Sequence, residues 1–370
     1  MKILFFSLLF FICVLACSPT DNEPLFAKIG KYEWKIPFPL SDTRVKIDSS
    51  LTYQGIELGR MLFYENKLSA DNSISCGTCH QQSLAFTDGK ALAEGVGGKK
   101  GNLSSMSLAN LMWHNKFNWA ANAESLEKQV LMPIQNPDEM NQTLEQTVAK
   151  LQASNNYPPL FKIVFGTSTI QADLIAKALT QFLKTLISGN SKYDQFLRKE
   201  YQATESELRG MQLFLTHPVP EAKIRGGNCG DCHLNITLAG DPFEFRGFHN
   251  NGLDDDTNLA LGLEKFTKNG FDKGKFKAPT LRNIVLTAPY MHDGRFKTLE
   301  DVLEHYDQHV KSSASLDPLI MAATNQANYD NKPVKLFLTA QEKKDIIAFL
   351  QMLTDNEFIK NPNFSDPFKK

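Results

Sequence analysis

The pentapeptide C-x-x-C-H occurs twice in this chain. SISCGTCHQQ carries Cys76, Cys79 and His80, and GGNCGDCHLN carries Cys229, Cys232 and His233. This is the attachment sequence of c-type haem. Two thiols add across the haem vinyl groups as thioethers, and the adjacent imidazole reaches the iron as proximal ligand. A lone C-x-x-C reads as a redox dithiol or as half a zinc site. Neither of those needs a histidine directly after the second cysteine, and paired zinc motifs usually lie closer in sequence. A chain that must wrap two haems lets the cofactors replace part of its hydrophobic core. The expected fold class is therefore mostly α, with two cytochrome c-like domains, each holding one covalently attached haem c, and long loops.

The other cysteines fit this reading. Of the six in the chain, only Cys13 and Cys17 lie outside the two motifs, so none is left for a structural disulfide. Both fall near Lys2 and the apolar run ILFFSLLFFICVLA. That run is shorter than the roughly 20 residues needed to span a bilayer and has the length of a signal-peptide core. It ends in VLAC, with small Ala16 before Cys17, which resembles a bacterial lipoprotein signal. Cys13, behind bulky Ile12, is the weaker candidate. The expectation is an exported protein in the periplasm or on a periplasm-facing membrane, touching the membrane only through a lipid on Cys17. At 42% hydrophobic and 22% charged residues the composition is that of a globular protein, and a net charge of −1 gives no reason to expect nucleic acid.

Each half opens with its own haem motif. The expected organisation is a signal peptide (1–16), a tether and extended lead-in (17–50), an N-terminal haem domain (51–195), a C-terminal haem domain (196–358) and a tail (359–370). QADLIAKALTQFLKTLIS places Leu174, Ile175, Ala178, Leu179, Phe182, Leu183, Leu186 and Ile187 on a 3.6-residue period. Thr204 with Glu207 and Thr339 with Glu342 form capping boxes that start two further helices.

The second axial ligand decides what each haem does. A haem with protein ligands on both faces passes electrons, and one with an open face binds peroxide or oxygen. Residues 81–113 contain no histidine. Met106 and Met112 stand at helical packing spacing, and His114 reads best as a surface or hydrogen-bonding residue. Haem 1 is therefore expected to be open on one side. For haem 2, TLEDVLEHYDQHV puts Leu299, Val302, Leu303 and Tyr306 on one helical face behind a Thr298–Asp301 cap. Asp301, His305 and His309 form a separate stripe that reads as solvated. Tyr306 then points inward, as a core residue or a ligand. Met291 and His292 are other possible ligands from this half.

Over residues 50–355 the chain resembles the bacterial dihaem cytochrome c peroxidase/MauG family. The likeness is carried by LGRMLFYENKLSADNSISCGTCH, MSLANLMWHNKFNW, SLEKQVLMPIQNPDEM and FKAPTLRNIVLTAPYMHDGRFKTLEDVLEHY. It implies that Trp119 relays electrons between the haems. It makes Gln129 and Glu139 distal-pocket residues over haem 1, and Pro133 the residue that leaves room there. It places Tyr306 where the well-studied peroxidases carry a methionine ligand to haem 2, which is the MauG arrangement. The loop histidine that blocks haem 1 in those peroxidases is missing. The resemblance also implies an interdomain calcium ion, held by the carbonyls of Lys277 and Pro279 and by a side chain at Ser104, where the family has asparagine.

The implied activity is that of a cytochrome c peroxidase-type oxidoreductase. Hydrogen peroxide is reduced to water at haem 1, with electrons passed through haem 2 from a small donor protein such as a cytochrome c or a cupredoxin. Glu139 is the expected acid–base group. One alternative is a MauG-like oxidase that modifies a partner protein, and another is a non-catalytic electron-transfer cytochrome. The sequence leaves room for a homodimer.

Overall fold

Capping chemistry starts the helices where the sequence places them. Thr204, Thr298 and Thr339 each accept the N–H of the residue three on, and the carboxylates of Glu207, Asp301 and Glu342 accept the N–H of the cap in return. The structure is a computed structural model that describes residues 28–41, 47–240, 247–330 and 335–369. The expected signal peptide and Cys17 lie outside the described residues. Among the described residues, no helix is long and apolar enough to cross a membrane.

In chain order the helices are α1 (Tyr53–Tyr64), α2 (Cys76–Cys79), α3 (Leu126–Gln135), α4 (Leu144–Gln152), α5 (Tyr157–Phe165), α6 (Ala172–Lys184) and α7 (Lys192–Leu197). They continue with α8 (Glu205–Leu215), α9 (Glu264–Thr267), α10 (Leu299–Glu304), α11 (Pro318–Ala322) and α12 (Ala340–Gln351). Two short strands, β1 (Phe248–His249) and β2 (Phe276–Lys277), pair antiparallel with Phe248 opposite Lys277. The fold is mostly α, as expected.

Two apolar cores organise these elements. In the first, α1 crosses α6, which buries Ile175, Ala178, Leu179, Phe182 and Leu183 on the expected stripe. In the second, α8 crosses α12. Both crossings run through a glycine. A Cβ at Gly59 would lie 2.0 Å from the Ala178 carbonyl oxygen, and one at Gly210 would lie 1.8 Å from that of Asp345. Any side chain at either position would force the helices apart.

The junction between the cores is held by buried charge. Asp355 accepts from the Gly189 and Asn190 N–H groups, both at 2.9 Å, and from Ser188 Oγ at 3.2 Å. Arg282 donates to both oxygens of Asp194, at 2.8 and 2.9 Å, with both side chains fully buried. Such a fork-on-carboxylate pair fixes orientation as well as distance.

The C-terminal residues do more than trail. Phe358 and Phe364 are buried in the first core. Tyr64 Oη donates to the Phe364 carbonyl at 2.7 Å, and Gln82 Nε2 donates to the Phe358 and Asn361 carbonyls at 3.2 and 2.8 Å. Much of the segment expected as a tail thus completes the N-terminal half.

Candidate haem sites

Both C-x-x-C-H turns fix their histidine in the same way. His80 follows α2, and its Nδ1 lies 2.8 Å from the Phe86 carbonyl. His233 Nδ1 lies 3.2 Å from the Leu238 carbonyl and 3.1 Å from that of Pro279. A ring nitrogen facing a carbonyl carries the proton, which leaves Nε2 as the metal-binding atom. Burial pushes the Cys76 and Cys229 thiols up to about 12 and Cys79 to about 11. Zinc needs thiolates, and no group of three or more His, Cys, Asp or Glu side chains among the described residues could hold a metal ion. Paired cysteines beside an oriented imidazole suit thioether attachment of haem c instead, and this donor set fits that group.

The surroundings of the second motif form a cavity of about 210 Å³. Cys229, Cys232 and His233 line it, and so do Tyr306 and Met291. Tyr306 reaches it by a route the helical period does not describe. Helix α10 ends at Glu304, and residues His305–His309 form a single π-turn. Leu299 and Leu303 are buried as expected, and Asp301 and His309 are exposed. His305, expected in the solvated stripe, is instead buried, with Nε2 3.0 Å from the Asn251 carbonyl. His305 N–H still bonds to the Asp301 carbonyl in α-helical register, so it is the Asn251 loop packing over this face that buries it. Burial pushes the His305 imidazole down to about 4 and raises the Tyr306 phenol, while a bond from Asn251 Nδ2 to Tyr306 Oη at 3.2 Å works the other way on the phenol.

The residues expected over the first haem lie on α3 and the turn that follows it. Ser125 caps α3, and Pro133 sits inside it. Proline has no N–H to give the Gln129 carbonyl four residues back, while its own carbonyl accepts from Met140 N at 3.1 Å. The chain therefore folds back at Asn136, whose carbonyl accepts from the N–H groups of both Glu139 and Asn141. Asn136 Nδ2 donates to Glu139 Oε1 at 2.8 Å. Burial raises the Glu139 carboxyl above the ordinary range, and the Asn136 bond draws it part of the way back. The Glu139 carbonyl accepts from Val96 N at 2.8 Å, two residues past Glu94, whose carbonyl lies 3.8 Å from Cys79 Sγ, so this turn packs beside the first attachment motif.

Gln129 Oε1 accepts from Asn118 Nδ2 at 2.7 Å, linking α3 to the loop that carries Trp119. Asn118 and Ala121 both have φ of 55° in that loop, and Phe117 bridges to Ala123. Trp119 is buried. Its Nε1 donates to the Ser104 carbonyl at 2.9 Å, and its carbonyl accepts from Lys277 N at 3.0 Å. It thus bonds to both halves of the molecule.

The three positions expected to hold calcium, Ser104, Lys277 and Pro279, line the same cavity as His233. Here the Pro279 carbonyl faces His233, while Ser104 Oγ donates to the Met291 carbonyl at 3.0 Å. Lys277 brings a buried ammonium, which donates to the Lys116 carbonyl at 2.8 Å and which burial pushes down to about 7. No step below runs through calcium. The pair His249–Asp317, 2.7 Å apart with His249 lining the second cavity, escaped the sequence reading because its partners lie far apart in the chain.

Two oriented imidazoles, each beside paired thiols in its own half of a mostly helical chain, define a dihaem c-type protein. Comparison with known proteins agrees. The family profile described as di-haem cytochrome c peroxidase matches residues 53–202. The chain is 33% identical to methylamine utilization protein MauG of Methylorubrum extorquens, over 91% of this chain and 86% of that protein. It is 34% identical to cytochrome c551 peroxidase of Nitrosomonas europaea, over 67% of this chain and 71% of that one. A crystal structure of a MauG-like protein associated with microbial copper homeostasis superposes with a TM-score of 0.79 at 35% identity, covering 91% of this chain and all of that one. The chain belongs to the dihaem cytochrome c peroxidase/MauG family.

Proposed function

We propose that this protein reduces hydrogen peroxide at haem 1, with electrons relayed through haem 2 from a small redox protein. The observation that carries this reading is Glu139. It is a half-buried carboxyl with a raised pKa, held by Asn136 beside the first attachment turn, in a chain with no histidine between residues 81 and 113. A haem blocked on both faces has no use for such a group.

When bound, haem 1 supplies the iron that takes peroxide and the electrons that cleave it. Cleavage needs a proton moved from the inner to the outer peroxide oxygen. Glu139 accepts it as carboxylate and returns it as acid, a role suited to a carboxyl whose pKa is raised toward the working pH. Gln129, held by Asn118, orients peroxide or water. Trp119, bonded to both halves, lies on the route between the two sites. His80 and His233 would hold the two haem irons, and Tyr306 would be a second protein ligand to the iron of haem 2. Two protons and two electrons per peroxide give two waters. The working location is the periplasmic side of a membrane, with the chain held through lipidated Cys17.

A second reading, a MauG-like oxidase acting on a partner protein, is favoured by Tyr306. A hard phenolate stabilises ferric over ferrous iron and makes haem 2 a poorer acceptor for an ordinary cytochrome. Electron paramagnetic resonance of the fully loaded ferric protein tests the shared premise. One high-spin and one low-spin iron are expected, followed by peroxide consumption without prior reduction. Two low-spin irons and no turnover would leave an electron carrier. Turnover that proceeds with a small reduced donor favours the peroxidase, and turnover that needs a protein substrate favours the oxidase.

A further inference from the structure

Asn251 touches both side chains that compete for the distal position of haem 2. Its Nδ2 lies 3.2 Å from Tyr306 Oη and 3.5 Å from Met291 Sδ. A thioether sulfur only accepts, so the amide nitrogen, not the amide oxygen, faces this pair. Its two N–H bonds serve both acceptors.

The backbone around Asn251 is fixed from both sides. The buried Asn250 donates to Ser313 Oγ and Ser315 Oγ, both at 2.9 Å, and accepts from Gly252 N at 3.0 Å. The Asn251 carbonyl meets His305 Nε2 at 3.0 Å, and His305 directly precedes Tyr306 in the π-turn. The Asn251 backbone and Tyr306 are thus tied to the same turn. Met291 is held from its other end, by Ser104 Oγ on its carbonyl, with φ of 75°.

We propose that Asn251 is the positioning residue that assigns the distal site of haem 2 to Tyr306 over Met291, and that it tunes the bound phenolate. This rests on Tyr306 being the iron's distal ligand. One N–H donates to the phenolate oxygen and draws electron density from it, so the phenolate donates less to iron. The other engages the sulfur lone pair that Met291 would need to bind. Outer ligand partners of this kind set ligand orientation and metal potential.

The test compares Asn251→Ala and Asn251→Asp with the parent in the fully haem-loaded protein. Asn251→Asp keeps the shape and loses both N–H donors, and unchanged haem 1 signals report intact folding. The phenolate-to-iron charge-transfer band is expected to move to longer wavelength, and haem 2 to be reduced at a more negative potential. A thioether-to-iron band appearing in Asn251→Ala would show Met291 taking the site and supports the assignment directly. A haem 2 band and potential unchanged in both variants overturn the proposal. Tyr306→Phe separates the two levels. If haem 2 is unchanged in that variant, the ligand reading itself fails. If it changes there and not in the Asn251 variants, only the role of Asn251 falls.

Discussion

The two haem motifs share a pentapeptide and a proximal clamp, and they differ in everything opposite the proximal histidine. Both imidazoles point Nδ1 at main-chain carbonyls, Phe86 for His80 and Leu238 and Pro279 for His233. At the first site the residues expected opposite His80 are Gln129 and Glu139, side chains with hydrogen-bonding capacity. At the second, Tyr306 and Met291 line the same cavity as His233, with the Asn251 amide between them. Attachment is thus a solved local problem, repeated unchanged. The division of labour is written on the distal side, where α3 with its proline ends in a polar turn and α10 runs into a π-turn.

The comparison breaks most visibly at Glu139. Glu139→Gln is expected to lower peroxide turnover by about 10²–10⁴-fold, the usual worth of a general acid–base, with both haem spectra nearly intact. Steady-state assays and absorption spectra on one sample check this. Turnover within a few-fold of the parent would remove Glu139 from the mechanism.

Cutting the junction should affect both sites at once. Arg282→Met leaves Asp194 buried without its partner and is expected to cost about 3–5 kcal/mol in a denaturation midpoint analysis. A loss below about 1 kcal/mol would show that the halves are held by other contacts. Tyr306→Phe acts on one side only, changing the haem 2 spectrum while haem 1 stays as it was.

The smallest effects sharpen the contrast. Burial raises Glu139, so its charged form, which takes the first proton, is lost as pH falls through a value above the ordinary carboxylate range. Peroxide turnover should therefore decline on an acid limb lying above that range, and the limb should vanish in Glu139→Gln. Asn136→Ala removes the bond that pulls Glu139 down, and should move the same limb to higher pH. A limb that stays put in Asn136→Ala belongs to another group.

Much of this was readable in the chain before folding. The haem motifs are covalent chemistry in five residues, and the caps at Thr204, Thr298 and Thr339 are three-residue devices. Tyr306 was reached from helical spacing, and it faces the cavity even though the helix has by then become a π-turn. His305 is where the reading fails, because its covering partner, the Asn251 carbonyl, lies 54 positions away and local spacing does not announce it. Asn251 was invisible for the same reason, since its partners Met291 and Tyr306 lie 40 and 55 positions away.

The return of Phe358 and Phe364 to the first core sets an order of assembly. Gln82, beside the first motif, and Phe358 stand 276 positions apart. The first core is therefore complete only once the chain beyond the second haem motif has returned to it. Contacts of such long sequence separation are slow to form. Attachment of the first haem can precede that closure, so the finished N-terminal site is sealed by residues encoded beyond the second one.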